Sequence, residues 1–193
     1  MTNDEPIIRF RELLARAEGV GIPLPNAAAF ATAGKDLQPT VRMLLLKDVD
    51  DRGFVFYTNM RSPKAAQINE NRRASICFWW PQLQQQVRVE GRLESVGDAE
   101  ADAYFATRPR GSQIAAWASN QSRELSSRDE LMSAVAAYTA KYKDQPVPRP
   151  PHWSGYRLVP ERMEFWADRP DRLHERWLYT WEGDGWKVVL LAP

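Results

Sequence analysis

Arg172, His174 and Arg176 fall at every second position of PDRLHERWLYTW, residues 170–181. On a strand, alternate side chains share a face, so these three would point one way and Leu173, Glu175 and Trp177 the other. Two guanidinium groups and an imidazole on one face suit an anion or an electron-rich ring, and a solvated strand face is the competing reading. Three further stretches set basic groups beside hydroxyls. In VRMLLLK, Arg42, Leu44 and Leu46 share one face and Met43, Leu45 and Lys47 the other, and the charges are either ligand contacts or snorkelling ends. In YTNMRSPK, backbone N–H groups at a helix start, the Ser62 hydroxyl and the Lys64 ammonium can hold a phosphate, with Tyr57 and Thr58 just upstream; an ordinary capped helix is the plainer alternative. In YFATRPRGSQ, Tyr104 and Arg108 stand four apart on one helical face, with Ser112 past a proline break. That is again a phosphate-type set, unless the arginine is a surface group packed on the tyrosine. Two such sets suit two phosphorylated ligands.

The elements that must position these groups read as follows. Asp4 is placed to cap a helix that carries Ile7, Phe10, Leu13, Leu14 and Ala17 on one stripe and stops at Gly19. AAAFATAG, TVRMLLLK and GFVFYTN are short β-favouring runs separated by the turn-like KDLQP and DVDDRG. Ser62 and Pro63 start a short helix, because proline lacks only an N–H that would be orphaned there. ASICFWW and QQVRVEGRLESV flank a turn at Pro81 and Gln82. Three helical segments follow from Asp98, the last with Ser127 and Glu130 as a capping box. After the proline-rich QPVPRPPHW come two long strands, GYRLVPERMEFWA and RLHERWLYTW, then the turn EGDG and the strand WKVVLLAP. Seven or eight mostly sequential strands with inserted helices indicate an α+β, mainly β, antiparallel barrel. A barrel this small has little interior space, which puts a ligand on its outside or at a subunit interface.

At 193 residues and 44% hydrophobic, the chain suffices for one domain with a real core. Its 26 basic and 25 acidic residues give a net charge of +1, which offers no bulk electrostatic case for nucleic acid or an anionic membrane. Cys77, the one cysteine, sits in an apolar run and reads as a buried inert thiol in a reducing compartment. Two histidines and one cysteine are a poor zinc set, so no metal is expected. No run is long enough to span a bilayer and the N-terminus lacks a signal-peptide core, so a cytoplasmic location is expected. Glycine-rich phosphate loops and nucleophile elbows are absent.

RMLLLK, FVFYTN, QVRVEG, YFATRPRGSQI, NQS, WSGYRL, MEFW and DRLHERW occur in the order and approximate spacing of the pyridoxine (pyridoxamine) 5′-phosphate oxidase family. The chain resembles that family over nearly its whole length, and RLHER, similar to the family's R-L-H-D-R, is the most selective part. The resemblance implies an FMN-binding split β-barrel with peripheral helices, residues 1–193 forming a single domain, and a homodimer with its sites at the interface. It implies that Arg42, Met43, Leu44 and Leu45 line the flavin, and that Tyr57, Thr58, Ser62 and Lys64 hold its ribityl phosphate end. Lys47, Gln86, Gln121, Ser122, Trp166 and Arg176 complete that pocket. Lys47, Tyr104, Arg108 and Ser112 would bind the substrate phosphate, while Arg172 and His174 would lie over the substrate ring as the catalytic pair. The implied reaction moves a hydride from C4′ of pyridoxine or pyridoxamine 5′-phosphate to N5 of FMN, and O2 then reoxidises the flavin, yielding H2O2 and pyridoxal 5′-phosphate. Where the family has S-R-K this chain has Ser62-Pro63-Lys64, so a guanidinium expected on the FMN phosphate is absent unless Arg61 or a neighbour compensates. Gln85 and Leu190 also replace arginines common in the family. Three alternatives remain beside this reading: a related flavin oxidase acting on another ring such as a phenazine precursor, a non-catalytic FMN or pyridoxal phosphate carrier, and a nucleic-acid-binding barrel.

Overall fold

The computed structural model describes residues 5–193, and the cap expected at Asp4 lies outside the described residues. Helix α1 (Glu5–Gly19) buries Ile7, Phe10, Leu13 and Ala17, the stripe its sequence spacing sets up. Strands β1 (Ala27–Ala33), β2 (Pro39–Leu45), β3 (Asp48–Asp50) and β4 (Gly53–Asn59) follow, then α2 (Pro63–Glu70), β5 (Arg73–Trp80) and β6 (Gln85–Ser95). Helices α3 (Asp98–Thr107), α4 (Arg110–Ala118) and α5 (Arg128–Lys141) precede β7 (Trp153–Ala167), β8 (Glu175–Trp181) and β9 (Trp186–Leu191). The nine strands form one sheet in the order β2-β1-β5-β6-β7-β4-β3, with β8 pairing with β7 and β9 with β8. β1 is antiparallel to β2 and β5, β5 to β6, and β8 to β7 and β9. This is the mainly β, antiparallel class expected. One strand was not: DVDDRG reads as a turn, yet Asp48–Asp50 pairs with Gly53–Val55, which leaves only Asp51 and Arg52 for the turn itself.

The chain divides into two compact units, and β4, α2 and β7 each run from one into the other. The first comprises the chain up to Phe56, Gln67–Glu94 and Arg157–Pro193. Its core is aromatic: the fully buried Phe10 ring lies 4.8 Å from Phe54, 4.9 Å from Phe78 and 5.9 Å from Trp80. Burying one such side chain contributes about 1.5–3 kcal/mol, so this cluster anchors α1 on the sheet. Backbones approach closely where β7 passes Gly53 and Gly91. A Cβ at Gly91 would stand 2.0 Å from the Val159 carbonyl oxygen, and one at Gly53 would stand 2.1 Å from that of Leu158. Neither position tolerates a side chain without moving the strand.

The second unit comprises Tyr57–Ala66 and Ser95–Tyr156. Phe105, Ile114, Tyr142, Val147 and Trp153 form its apolar core. α3 stops at Thr107 because Arg108, which precedes Pro109, is driven to extended backbone (φ −70°, ψ 145°). At α5 the Ser127 hydroxyl accepts from Glu130 N at 3.3 Å, as a capping box requires. The Glu130 carboxylate, however, accepts from Ser126 N and Oγ (2.9 and 2.7 Å) instead of Ser127 N, a one-residue shift of the reciprocal half.

Candidate functional site

In the second unit the YTNMRSPK residues gather around one ammonium. Lys64, on the first turn of α2, is buried, and its Nζ donates to Gln121 Oε1 (2.8 Å), Thr58 Oγ1 (3.1 Å) and Ser62 Oγ (3.2 Å). Thr58 Oγ1 lies 3.4 Å from the same Gln121 oxygen. β4 delivers Thr58, the turn into α2 delivers Ser62, and Gln121 comes from the segment after α4 with Ser122, which is exposed and has φ 65°. Two hydroxyls, a carboxamide and a buried cation at a helix start form a donor set for a dianionic phosphate.

A second set lies in the same unit. Tyr57 and Tyr104 stack at 4.2 Å with 12° between planes, and Tyr57 is nearly parallel to Trp153 at 5.1 Å. Arg108 Cζ sits 4.7 Å over the Trp153 ring and 5.6 Å over Phe105. Its Nη1 is buried without a hydrogen-bond partner among the described residues. Burial pushes the Arg108 pKa down and Tyr104 opposes the shift; an arginine remains cationic nonetheless. A buried guanidinium N–H left unsatisfied is costly, and an anionic ligand would satisfy it. The shared helical face expected for Tyr104 and Arg108 is not formed, because Arg108 lies past the end of α3 and meets the tyrosine's neighbours from the turn. Ser112, expected beyond a break, is half-buried in the first turn of α4, its N–H donating to the Pro109 carbonyl at 2.8 Å.

The first unit holds the other expected residues. Arg42 Nη1 donates to Thr32 Oγ1 (2.7 Å) and the Phe30 carbonyl (3.2 Å), and Nη2 donates to Thr40 Oγ1. Both threonine hydroxyls donate to Gln67 Oε1 at 2.7 Å, so the guanidinium is held within a network, and burial lowers its pKa. Arg42, Leu44 and Leu45 are half-buried while Met43 is 63% exposed. Lys47 lies beyond the end of β2 with an exposed side chain, its N–H donating to the Val55 carbonyl at 2.9 Å.

The alternating face expected for Arg172, His174 and Arg176 does not exist. Pro170–Arg172 is a 3-10 turn in which Asp171 (φ 57°) and Arg172 (φ 61°) are left-handed, and β8 begins only at Glu175. Left-handed backbone cannot continue a pleated strand, so only Arg176 has a strand position. Arg172 is exposed and makes no side-chain hydrogen bond or ion pair with the described residues. His174 packs on Trp166 with ring centroids 4.5 Å apart, and its Nδ1 lies 2.9 Å from Asp168 Oδ1. The same Nδ1 lies 3.3 Å from the Arg169 backbone N–H, so Asp168 and the turn together fix the ring's position. Arg176, register partner of Trp166, donates from Nε to Glu164 Oε1 at 2.8 Å. The hydrogen bond to Glu164 raises the Arg176 pKa. Glu164 is buried, and its other oxygen accepts from Arg88 Nη2 at 2.7 Å. Gln86, half-buried on β6, is register partner of Trp79, which meets Trp166 edge-on at 6.0 Å.

Sequence reasoning missed Asp168, Glu164, Arg88 and Trp153. Glu164 stands inside MEFW and Trp153 opens WSGYRL, so the motifs contained them, but no spacing rule marked their roles. Cys77 is half-buried where a buried thiol was expected; burial still raises its pKa, opposed by Arg88 and reinforced by Glu164, in keeping with low reactivity. Among the described residues no helix is long and apolar enough to cross a membrane, and no three His, Cys, Asp or Glu side chains cluster to hold a metal.

Known proteins match this architecture along its length. A family model described as pyridoxamine 5′-phosphate oxidase matches residues 18–166, and one described as the pyridoxine 5′-phosphate oxidase C-terminal dimerisation region matches residues 153–193. A pyridoxine/pyridoxamine 5′-phosphate oxidase of Myxococcus xanthus is 53% identical over 193 residues, covering 100% of this chain and 94% of the relative. That of Brucella canis is 55% identical over 192 residues, covering 98% and 94%. The crystal structure of PhzG from Burkholderia lata 383, in complex with tetrahydrophenazine-1-carboxylic acid, superposes with a TM-score of 0.93 at 35% identity, covering 97% of this chain and 92% of that one. An FMN-binding protein of Nostoc punctiforme shares the fold at 19% identity and a TM-score of 0.77, covering 95% and 97%. By the match of the family model and the full-length relatives, the chain belongs to the pyridoxamine 5′-phosphate oxidase family.

Proposed function

We propose that the protein is an FMN-dependent oxidase that converts pyridoxine 5′-phosphate and pyridoxamine 5′-phosphate to pyridoxal 5′-phosphate, with O2 as acceptor and H2O2 as by-product, water hydrolysing the imine formed from the amine with release of ammonia. The observation that carries this reading is the pair of anion sites in the second unit. One is a buried ammonium ringed by hydroxyls and a carboxamide, and the other a buried guanidinium N–H without a partner among the described residues. Two phosphate sites suit one phosphorylated cofactor and one phosphorylated substrate. Relatives 50–55% identical over nearly the whole chain, all named for this activity, support it.

The residues fit FMN. Lys64, Ser62 and Thr58, with Gln121 and Ser122, would hold its phosphate, and Tyr57 borders that set. Arg42, Met43, Leu44, Leu45, Lys47, Gln86, Trp166 and Arg176 would bound the rest of the cofactor, Arg42 and Arg176 already held in orientation by their networks. When bound, FMN supplies the hydride acceptor that O2 regenerates. The chain's part is position and charge. Arg108 would take the substrate phosphate with Tyr104, Ser112 and Lys47. Arg172, without a side-chain hydrogen bond or ion pair among the described residues, would reach the substrate ring. His174, its Nδ1 set beside Asp168 and the Arg169 N–H, would turn its Nε2 to the substrate. The dimerisation-region match supports a homodimer, the apolar Val41 and Met43, exposed on edge strand β2, supply surface for one, and the sites would lie at its interface.

The likeness to PhzG favours a second reading, oxidation of a phenazine precursor. An aerobic assay separates the two. Formation of pyridoxal 5′-phosphate and H2O2 from pyridoxine 5′-phosphate, with unphosphorylated pyridoxine a poor substrate, supports the first. Turnover of a reduced phenazine carboxylate alone would replace it with the second.

A further inference from the structure

The second unit contains a small polar cavity of about 270 Å³ lined by Asn59, Arg61, Asn120, Gln121 and Arg123. Its lining holds two guanidinium-bearing residues, three carboxamides and no carboxylate. Neither arginine makes a side-chain hydrogen bond or ion pair with the described residues, so two like charges border one pocket uncompensated. Such an arrangement is relieved by an anion.

Gln121 is the wall this cavity shares with the Lys64 cluster. Its Oε1 is taken by Lys64 Nζ at 2.8 Å, so its Nε2 hydrogens remain as donors for the other side. Arg61 stands in the turn before α2, where its own N–H donates to Asn59 Oδ1 at 2.8 Å and Ser62 N donates to the Asn59 carbonyl at 3.2 Å. That side-chain-to-backbone turn fixes the Arg61 Cα while leaving its side chain at the cavity. Pro63, at the first position of α2, brings neither an N–H nor a charge to the same helix start.

We infer that Arg61, with Arg123 across the cavity, supplies the guanidinium charge for the flavin phosphate that position 63 lacks. The charge lost at the helix start is replaced from the preceding turn, and the phosphate is gripped between the Lys64 cluster and the two arginines. The inference rests on the FMN reading of the Lys64 cluster.

Titration of the apoprotein with FMN and with riboflavin, followed by quenching of flavin fluorescence, tests it. Riboflavin lacks the phosphate, so the ratio of the two affinities isolates the phosphate contacts. Arg61→Ala is expected to weaken FMN binding about ten- to a hundredfold and to leave riboflavin within about twofold. Arg123→Ala is expected to weaken FMN in the same direction by about three- to tenfold. Adding Pro63→Arg to Arg61→Ala is expected to restore most of the preference for FMN, which a merely structural role of Arg61 would not allow. Wild-type FMN affinity in Arg61→Ala, with the wild-type protein preferring FMN over riboflavin, overturns the inference alone. A wild-type protein with no such preference overturns the FMN reading and this inference with it.

Discussion

The segments around Lys64 and Arg108 and the segment 164–176 carry similar side chains, yet they are built in opposite ways. Around Lys64, residues far apart in sequence converge on one buried cation: Gln121 reaches across 57 positions to accept from its ammonium through the carboxamide oxygen. Around Arg176, the binding groups are neighbours along two paired strands and the turn between them, and their orientation comes from carboxylates: Glu164 holds Arg176, and Asp168 holds His174. The first arrangement is preorganised in a way that suits a fixed charge. The second positions cations and an imidazole by internal acids, which suits groups that must be aimed at a reacting ring.

Substitutions can break this division. The largest effect is expected for Arg172→Ala, where turnover of pyridoxine 5′-phosphate should fall about 10²- to 10³-fold while FMN affinity stays within about twofold. Steady-state kinetics and flavin titration read the two quantities separately, and comparable losses in both would merge the two regions into one role. Lys64→Ala should act oppositely, weakening FMN about ten- to a hundredfold while turnover at saturating FMN changes far less. Next comes Glu164→Gln. It leaves Arg88 and Arg176 without their shared buried carboxylate and should lower stability by about 1–3 kcal/mol in denaturant unfolding, with weaker FMN binding alongside. An unchanged midpoint and FMN affinity would remove Glu164 from the positioning set. The smallest change is expected for Asp168→Asn, a loss of about three- to tenfold in kcat with little effect on KM, because the imidazole keeps its place on Trp166 but loses the carboxylate charge beside its Nδ1.

Much of the fold was legible in the sequence because its signals are local. The α1 stripe, proline at the start of α2, and alternating strands divided by turns all survive in the structure. Where local rules failed, a specific backbone event intervened. Left-handed Asp171 and Arg172 interrupt the alternation that RLHER displays, so a period of two on paper is a turn followed by a strand. Pro109 ends α3 one residue early for Arg108, and a four-residue spacing lost its helical meaning. The candidate site was read chiefly through the family resemblance of whole motifs, because basic residues among apolar neighbours are equally compatible with a solvated strand face. Glu164 and Asp168 stayed hidden, because an acid that serves by holding a base carries no signal until its partner is seen across the sheet or the turn.

The most direct test of the oxidase reading is the absorption spectrum of the FMN-saturated protein under anaerobic conditions, before and after addition of pyridoxine 5′-phosphate. The expected result is bleaching of the flavin band, reversed on admitting air, with one pyridoxal 5′-phosphate formed per flavin reduced. A protein-bound flavin that stays oxidised with this substrate and with pyridoxamine 5′-phosphate would contradict it.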